Sequence, residues 1–336
     1  MNLKTEITKI HYNKNAKGFL VKLLEFASIF YGLGSGLKNK LYDKNIIKPK
    51  KVDAFVISIG NITTGGVGKT PIVAQIANYL TSNGEKVAII SRGYGGELSN
   101  NNINVISDGK NIFYNAKLAG DEPFWLAQNA GKTIVITTKN RYKGAKYAIE
   151  NFGASKIILD DGFQHRKLHR DLDIVLMDSK MGFGNEKLLP AGPLREGMEA
   201  FSRIDKLVIV SKDTEHSRAE KLAKIMAKKM KIKTFVCYTE PDFVYNIKTG
   251  EKLPEVTEAV ALCAIGQPKQ FYDFLNNYKI SQTIDFDDHH CYTETELPAG
   301  IIITTEKDAV KMKDFQRNDI FALKLKTIID VKNLLS

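Results

Sequence analysis

A glycine-rich loop between an apolar run and an amphipathic segment constrains the fold more than any other feature of this sequence. Residues 54–59 are apolar and rich in β-branched side chains, as in a buried strand, whereas residues 71–80 have the apolar spacing of a helix. The loop between them ends in GGVGKT, residues 65–70. Strand, glycine loop and helix in this order predict a phosphate-binding loop, or P-loop.

The residue types in this loop suit a nucleotide phosphate. Glycines let successive backbone N–H groups point at phosphate oxygens, a lysine can reach the β- and γ-phosphates, and a threonine hydroxyl can bind Mg²⁺. Position 63 is threonine where the strict P-loop pattern has its first glycine, and a flexible loop without a ligand is the alternative. The residues predicted to bind nucleotide are Thr64, Gly65, Gly66, Val67, Gly68, Lys69 and Thr70.

Short apolar runs alternate with helical patterns along the rest of the chain. This alternation predicts an α/β fold of the P-loop type, with a mostly parallel sheet and helices on both faces. A lysine-rich helical stretch follows the motif-dense first half, which indicates a smaller C-terminal α/β part. The further predicted strands cover residues 87–91, 133–138, 156–159, 173–177, 206–210, 234–236, 259–264 and 301–304.

Two adjacent carboxylates follow one of these predicted strands. Asp160 and Asp161 end the apolar run that begins at Lys156. An acidic residue at the end of a strand beside a P-loop can bind Mg²⁺ directly or through water, so the predicted metal ligands are Thr70, Asp160 and Asp161. The alternative is that the two aspartates only cap or turn the chain.

Basic charge is concentrated at the N-terminus. The chain has 49 basic and 38 acidic residues, and residues 1–51 contain eleven lysines against three acidic residues, a net +8 of the total +11. The remainder is nearly neutral, so we expect no nucleic-acid partner, because a nucleic-acid groove needs basic residues across the folded body. The three cysteines are widely spaced, which predicts neither a disulfide framework nor a metal site.

The basic N-terminal region also contains an amphipathic helical pattern. Apolar side chains recur at Phe19, Leu23, Phe26, Phe30 and Leu33. We expect a helix too short and too charged to cross a bilayer, which needs about 20 apolar residues. It can instead lie in the interface, where flanking lysines attract anionic head groups. A helix packed on the domain core is the alternative. No secretion signal is recognisable, so we do not expect export.

Seven sequence blocks in order resemble the tetraacyldisaccharide 4′-kinase family, and they extend over residues 55–310. The resemblance implies ATP and Mg²⁺ as cofactors, and transfer of the γ-phosphate to the 4′-hydroxyl of a tetraacylated glucosamine disaccharide 1-phosphate, which gives lipid IVA. It also implies a peripheral position on the cytoplasmic face of the inner membrane. The blocks are GNIT-GG-GKTP (60–71), SRGYGG (91–96), GDEP (120–123), DDGFQH (160–165), LPAGPLRE (189–196), F-DH (286–289) and TEKD (305–308).

The resemblance also implies roles for individual residues. Asp121 matches the catalytic aspartate of the family, and His289 would support it, although His290 directly follows. From residue chemistry alone, Asp121 reads equally well as a helix cap. Arg92 and Arg195 offer planar forks for the substrate phosphate, and Tyr94 can stack on a sugar ring, with ordinary surface contacts as the alternative. The substrate-binding candidates are Arg92, Tyr94, Gln164, His165, Arg195 and Glu196.

We therefore expect three parts: a basic, membrane-associated amphipathic arm (1–51), a P-loop kinase core (52–205) and a C-terminal α/β part that contributes to the cleft (206–336). The expected partners are an acylated disaccharide phosphate lipid and an anionic membrane surface, with no protein partner. Two other functions stay open. One is a membrane-associated P-loop ATPase switch, although Thr64 replaces the signature lysine of that class. The other is a P-loop kinase acting on another small acceptor.

Overall fold

A computed structural model describes residues 3–100, 103–212, 216–255, 257–266, 268–287 and 290–336. A sheet of 12 strands runs through this described part of the chain. The strands are β1 (Phe55–Asn61), β2 (Val87–Ser91), β3 (Asn104–Asp108), β4 (Ile134–Thr137), β5 (Lys156–Asp160), β6 (Leu172–Asp178), β7 (Lys206–Ser211), β8 (Lys233–Asn246), β9 (Glu258–Cys263), β10 (Lys279–Asp285), β11 (Ile302–Thr305) and β12 (Ile320–Ile328).

Helices precede the sheet and connect its strands. They are α1 (Leu3–His11), α2 (Phe19–Asp43), α3 (Lys69–Ser82), α4 (Ala116–Ala119), α5 (Asp121–Asn129), α6 (Arg141–Phe152), α7 (His216–Met230), α8 (Pro268–Asp273), α9 (Glu306–Ala309) and α10 (Val331–Leu335). Short 3₁₀-helices cover Glu97–Asn100, Met198–Arg203 and Glu294–Glu296.

The strand order places the P-loop strand inside the sheet. The order is β10-β9-β11-β12-β8-β7-β6-β1-β5-β2-β4-β3, and within the described chain only β3 with β4 and β8 with β12 pair antiparallel. β1 lies between β5 and β6, parallel to both. The carboxyl ends of β1, β5 and β2 therefore meet at one edge, where open parallel sheets bind their ligands.

Both faces of the sheet are covered by helices. Ile57 and Ile59 of β1 face α3 and α5, while Val56 faces α6 on the opposite side. α7 covers that opposite side over β6 and β7. Smaller apolar clusters lie on the two faces of β9 and β11, one of them under α8. This arrangement confirms the predicted mostly parallel α/β fold with a smaller C-terminal part.

All the predicted strands are present, but three observed strands were not predicted. β3 and β10 lie at the two edges of the sheet, and both are rich in polar residues, so their apolar signal is weak. β12 alternates apolar and charged residues near its end, because that end pairs only with β8. Edge position and antiparallel pairing thus hid these strands from a search for continuous apolar runs.

The N-terminal helix is longer than the sequence indicated. The prediction of a helix too short to cross a membrane was wrong about length: α2 has 25 residues and continues through Gly32, Gly34 and Gly36. Of the described helices, only α2 is long and apolar enough to cross a membrane. The helix continues past its glycines because it packs on the body, where a Cβ on Gly32 would lie 3.0 Å from Leu188.

Two glycines allow the main chain after β5 to approach β1 closely. A Cβ on Gly60 would lie 2.6 Å from the Cβ of Phe163, and one on Gly162 would lie 2.5 Å from the Cβ of Leu159. The Gly162 N–H donates to the carbonyl of Ile59 at 3.1 Å. These contacts hold the segment after Asp161 against the strand that leads into the P-loop.

We expect Gly162→Ala to destabilise the protein by about 1–3 kcal/mol, the usual cost of inserting a methyl group into a close-packed site. The contacted Cβ of Leu159 belongs to a buried strand and cannot move away freely. Gly36→Ala is the matched control, since a Cβ there meets nothing within 4 Å. Urea unfolding of both variants measures the effect. Equal midpoints for Gly162→Ala and the wild type would contradict this account of the packing.

Candidate active site

The P-loop lies between the end of β1 and the start of α3. Gly68 has φ +83°, a conformation that favours glycine, and α3 begins at the next residue. The Lys69 ammonium donates to the side-chain carbonyl oxygen of Asn61 at 3.0 Å and lies 3.5 Å from the carboxylate of Asp161. The N–H of Thr64 donates to the carbonyl of Pro193 at 2.7 Å, which fixes the start of the loop.

A second lysine holds the same loop from the end of β7. Lys212 donates to the carbonyl of Gly66 and lies 3.0 Å from the carboxylate of Asp178, at the end of β6. Both charged side chains are almost buried. Lys212 was not among the residues predicted from the sequence. The available signal was its position immediately after an apolar strand, at the edge where ligands bind.

The two predicted metal-binding aspartates have different surroundings. Asp160 is buried, and its carboxylate accepts from the Ser91 hydroxyl at 3.2 Å. Burial, followed by the negative charge of Glu122, raises the pKa of Asp160 to about 7. A buried carboxyl group that is disfavoured as an anion is one that a nearby cation would stabilise.

Asp161 is shared by two cations. Arg195 donates to both of its carboxylate oxygens, at 2.9 and 2.8 Å, and Lys69 approaches from the P-loop. Burial favours the protonated carboxyl, but Lys69 and Arg195 outweigh it and lower the pKa of Asp161. Its backbone is left-handed, with φ +54°. An ionised side chain on such a strained residue is typical of functional sites.

The acidic pair fits Mg²⁺ bound together with a nucleotide. Among the described residues, no group of three or more His, Cys, Asp and Glu side chains is arranged to hold a metal ion alone. Mg²⁺ commonly takes only one or two protein carboxylates and completes its shell with water and phosphate oxygens. The buried Asp160 beside Asp161 matches that requirement, and Thr70 would add a hydroxyl.

Asp121 is the first residue of α5, at the same edge of the sheet. A Cβ on the preceding Gly120 would lie 2.8 Å from the carbonyl of Tyr94, so the loop after β2 packs directly on the start of this helix. The Asp121 carboxylate lies 3.6 Å from the ammonium of Lys311, which also lies 3.6 Å from the buried Asp308. The C-terminal part thus reaches the Asp121 side chain through Lys311.

The histidine predicted to support Asp121 lies outside the described residues. His289 and Asp288 are not described, whereas the neighbouring His290 is. His290 stacks on Phe286, with ring centroids 4.6 Å apart, and its Nε2 lies 3.1 Å from Glu296. The carbonyl of His290 accepts from Lys311 at 3.1 Å. This segment therefore lies on the same lysine that pairs with Asp121.

The predicted substrate-binding residues fall into two groups. Arg92 and Tyr94 are exposed, and Tyr94 retains 74% of its accessible surface. Gln164 and Arg195 instead bind protein groups: Gln164 donates to the carbonyl of Asn61 at 3.0 Å, and Arg195 binds Asp161.

Glu196 and His165 do not have the surroundings expected of direct substrate ligands. Glu196 is only 3% exposed and binds Arg203 and Asn39. Burial, and then the charges of Arg141 and Lys38, lower the pKa of His165 to about 4, so its ring is neutral at pH 7. Its Nε2 is buried and, within the described chain, has no hydrogen-bond partner. A neutral imidazole offers no charge to a phosphate.

A glycine loop with its lysine, an acidic pair and a further aspartate thus meet at the carboxyl edge of a parallel sheet. Fold and site together define a P-loop nucleotide-binding enzyme. The family model described as "Tetraacyldisaccharide-1-P 4'-kinase" matches residues 20–336. The chain belongs to this family.

Known relatives are similar in sequence to this chain over most of its length. A tetraacyldisaccharide 4'-kinase from Halothermothrix orenii is 37% identical, over 90% of this chain and 84% of the relative. One from Desulfotalea psychrophila is also 37% identical, over 86% and 87%. In structure, the chain is similar to LpxK from Aquifex aeolicus, solved in complex with ATP. The TM-score is 0.78 at 32% identity, and the match covers 94% of this chain and 97% of that one.

We expect the His165 ring to stay neutral from pH 8 down to about pH 5, because its pKa lies near 4. In the unfolded chain a histidine binds its proton near pH 6.5, so stability is lost as the pH falls from about 6.5 toward 4. Ring-proton NMR, with His165→Gln to assign the signal, measures the titration. Urea midpoints at pH 7 and pH 5 should differ less in His165→Gln than in the wild type. A His165 midpoint near 6.5 would refute the prediction.

Proposed function

We propose that this chain is an ATP-dependent kinase that phosphorylates the 4′-hydroxyl of a tetraacylated glucosamine disaccharide 1-phosphate and so forms lipid IVA. The observation that carries the proposal is the convergence of Lys69, Asp161 and Asp121 at one sheet edge in a chain of this family. ATP is the phosphate donor and Mg²⁺ its metal ion.

Transfer to a sugar hydroxyl depends mainly on positioning and on charge stabilisation. We assign the β- and γ-phosphates to Lys69 and to the N–H groups of the glycine loop. Thr70, Asp160 and Asp161 would hold Mg²⁺, which neutralises charge on the phosphates when bound. Lys212 would help to hold the loop in place, because its ammonium donates to the carbonyl of Gly66.

We assign the acceptor's proton to Asp121. Its carboxylate is 18% exposed and lies at the start of a helix beside the loop of Arg92 and Tyr94. A group with this access can accept a proton from a bound hydroxyl. His289 would support Asp121. The engagement of His290 with Phe286 and Glu296 favours His289 over its neighbour in this role.

For the acceptor we propose that some of the predicted substrate-binding residues contact it directly and that others act through neighbouring protein groups. Arg92 and Tyr94 are exposed and available to a sugar phosphate. Arg195 would act on the substrate through Asp161, since both oxygens of that carboxylate bind its guanidinium. Gln164 and His165 would line the cleft beside it, and Glu196 would support Arg195 from within the body.

We propose that α2 binds an anionic membrane surface. Its large apolar side chains point away from the body: Phe19 is 85% exposed, and Phe26, Phe30 and Leu33 are each more than 60% exposed. Each such side chain contributes roughly 1.5–3 kcal/mol when it leaves water. The net +8 of residues 1–51 would add attraction to anionic head groups.

The contacts of α2 with the body favour an interfacial position over a spanning one. They extend from Glu25, which pairs with Lys187, through Ser28, to Asp43, which pairs with Arg166 at 2.7 Å. At 1.5 Å per residue this docked length is about 27 Å, close to the thickness of a hydrocarbon core. A helix held along that length on a polar body cannot also cross the bilayer. Because ATP is cytoplasmic, we place the enzyme on the cytoplasmic face of the inner membrane.

We propose that the chain has three parts: an arm at 1–51, a core at 52–205 and a C-terminal part at 206–336. β7 and β8 extend the core sheet into the C-terminal part, and Lys212 and Lys311 of that part reach the P-loop and Asp121. These contacts support a C-terminal contribution to the cleft.

The kinase assignment predicts large losses of activity from two single changes. Lys69→Ala removes the charge on the phosphates and should lower kcat/KM about 100-fold or more. Asp121→Asn removes the proton acceptor and should lower kcat by a similar factor with little change in KM. The measurement is ATP-dependent conversion of the disaccharide monophosphate on thin-layer plates, with ATP hydrolysis followed with and without acceptor.

Lys143→Ala is the matched control, because Lys143 is exposed on α6, on the opposite face of the sheet from the P-loop helix. Wild-type turnover in folded Lys69→Ala would remove the P-loop assignment. Hydrolysis of ATP that the acceptor does not affect, with no phosphorylated lipid, would instead indicate an ATPase switch.

The interfacial assignment predicts that the full chain binds anionic vesicles more strongly than neutral ones. Binding should weaken but not vanish at high salt, because salt screens the lysines and leaves the apolar contact. Replacing Phe19, Phe26 and Phe30 together by serine should reduce binding at every salt concentration. Co-sedimentation over a salt series measures this.

Ile225→Ser is the matched control, since Ile225 is 59% exposed on α7 and lies outside the arm. Circular dichroism checks that each variant folds. If the triple variant bound as well as the wild type, or if binding ignored salt, the interfacial assignment would be wrong.

A further inference from the structure

The polar side of α2 contacts the segment that carries Arg195 and Glu196. The Tyr31 hydroxyl donates to the carbonyl of Arg195 at 2.8 Å, and the Asn39 amide donates to the carboxylate of Glu196 at 3.0 Å. Lys38, between them on the helix, donates to the carbonyl of Gln164 at 3.0 Å. One helix therefore touches both loops that border Asp161.

Glu196 depends on α2 for part of its hydrogen bonding. It is almost wholly buried, and its carboxylate binds the guanidinium of Arg203, which lies over the ring of the buried Phe163 at 4.6 Å. The Asn39 amide supplies a second, neutral donor. A buried carboxylate that loses a donor becomes much less stable, so Asn39 helps to fix the position of Glu196.

The segment of Arg195 and Glu196 is also connected to the P-loop by side-chain contacts. Arg195 binds both oxygens of Asp161, and Asp161 lies 3.5 Å from the Lys69 ammonium. Five residues thus connect α2 to the P-loop lysine without a gap: Asn39, Glu196, Arg195, Asp161 and Lys69.

We propose that Asn39 and Tyr31 are positioning residues for phosphoryl transfer. Tyr31 holds the carbonyl of Arg195 and Asn39 holds the carboxylate of Glu196, and together they fix the guanidinium that orients Asp161 against Lys69. The helix with the exposed apolar stripe is thereby also a structural part of the nucleotide site. This inference rests on the proposed function only in taking Lys69 and Asp161 as groups that bind Mg·ATP.

The chemistry of the two donors supports this role. A tyrosine hydroxyl keeps its proton at neutral pH and can donate, and burial, and then the charge of Glu196, raise the pKa of Tyr31 further. Displacements of about 1 Å, even when caused by mutations far from the chemistry, can cost 100-fold in rate. Loss of either donor allows the Arg195 segment to move on that scale.

The test uses isosteric variants of the full chain. Tyr31→Phe removes only the hydroxyl, and Asn39→Asp keeps the shape but sets a carboxylate against Glu196. We expect kcat to fall about fivefold or more in Tyr31→Phe and further in Asn39→Asp, with the KM for the acceptor within twofold. Asn39→Ala should be less impaired than Asn39→Asp, because it removes the donor without adding repulsion.

Ser35→Ala is the matched control, since the Ser35 hydroxyl donates to Gly32 within the same helix. Vesicle binding and thermal unfolding are measured for every variant, so that kcat refers to folded, membrane-bound enzyme. If Asn39 only filled space, Asn39→Asp would keep wild-type kcat and Asn39→Ala would be the weaker enzyme. That order, or wild-type kcat in both isosteric variants, overturns the inference.

A second measurement separates this inference from the proposed function. Binding of a fluorescent Mg·ATP analogue needs no acceptor, and the Kd should rise at least threefold in Asn39→Asp. If the wild-type protein bound the analogue but phosphorylated no disaccharide, the proposed function would be wrong. The inference would then be tested only by comparing the Kd of Asn39→Asp with that of the wild type. Active wild type with an unchanged Kd and kcat in the variants would end only the inference.

Discussion

The rest of the site depends on the ion pairs of the Asp161 carboxylate. The carboxylate is held between the ammonium of Lys69 and the guanidinium of Arg195, and these two cations outweigh its burial. Its left-handed backbone, with φ +54°, is kept in place by the close approach of Gly162 to the main chain of Ile59. In the proposed function this carboxylate would lie beside both the phosphates and their metal ion, so a small movement of Lys69 or Arg195 would affect both. The packing of Gly162 and the two ion pairs therefore both determine the position of the Asp161 side chain.

The N-terminal helix is amphipathic in the reverse of the usual sense. In most surface helices the apolar side faces the core, whereas α2 places polar donors such as Ser28 and Asn39 against the body and leaves its phenylalanines exposed. Directional hydrogen bonds to carbonyl and carboxylate groups fix the orientation of the helix, and its apolar side remains free for another apolar phase. The same geometry explains why a helix of 25 residues need not span a membrane: its docked side cannot leave the body without exposing the buried Glu196.

How far the sequence predicted the structure depended on whether local pattern or distant contact decided each feature. The P-loop, the acidic pair after β5 and the central parallel strands follow from residues adjacent in the chain, and the structure places them as expected. The contacts of Lys212 with Gly66, of Lys311 with Asp121 and of Asn39 with Glu196 join residues far apart in sequence, and no periodicity predicts them. The length of α2 also involves a distant contact, the packing of Gly32 on Leu188, which the sequence pattern does not show.

The scarce arginines show that a guanidinium fork alone does not identify its partner. A guanidinium fork suits any pair of oxygens, and a carboxylate inside the protein competes with a phosphate outside it. Five of the eight arginines bind carboxylates within the described chain, and the pairs are Arg166 with Asp43, Arg170 with Asp173, Arg195 with Asp161, Arg203 with Glu196 and Arg317 with Asp319. A ligand that took the arginine from such a pair would leave the carboxylate without its cation, and this cost is largest for Glu196, which is buried. Arg92 is exposed on the loop beside Asp121, and a phosphate there would meet a cation without that cost. For the proposed contact with a substrate phosphate, exposure and existing pairing therefore distinguish Arg92 from Arg195, which residue type alone does not.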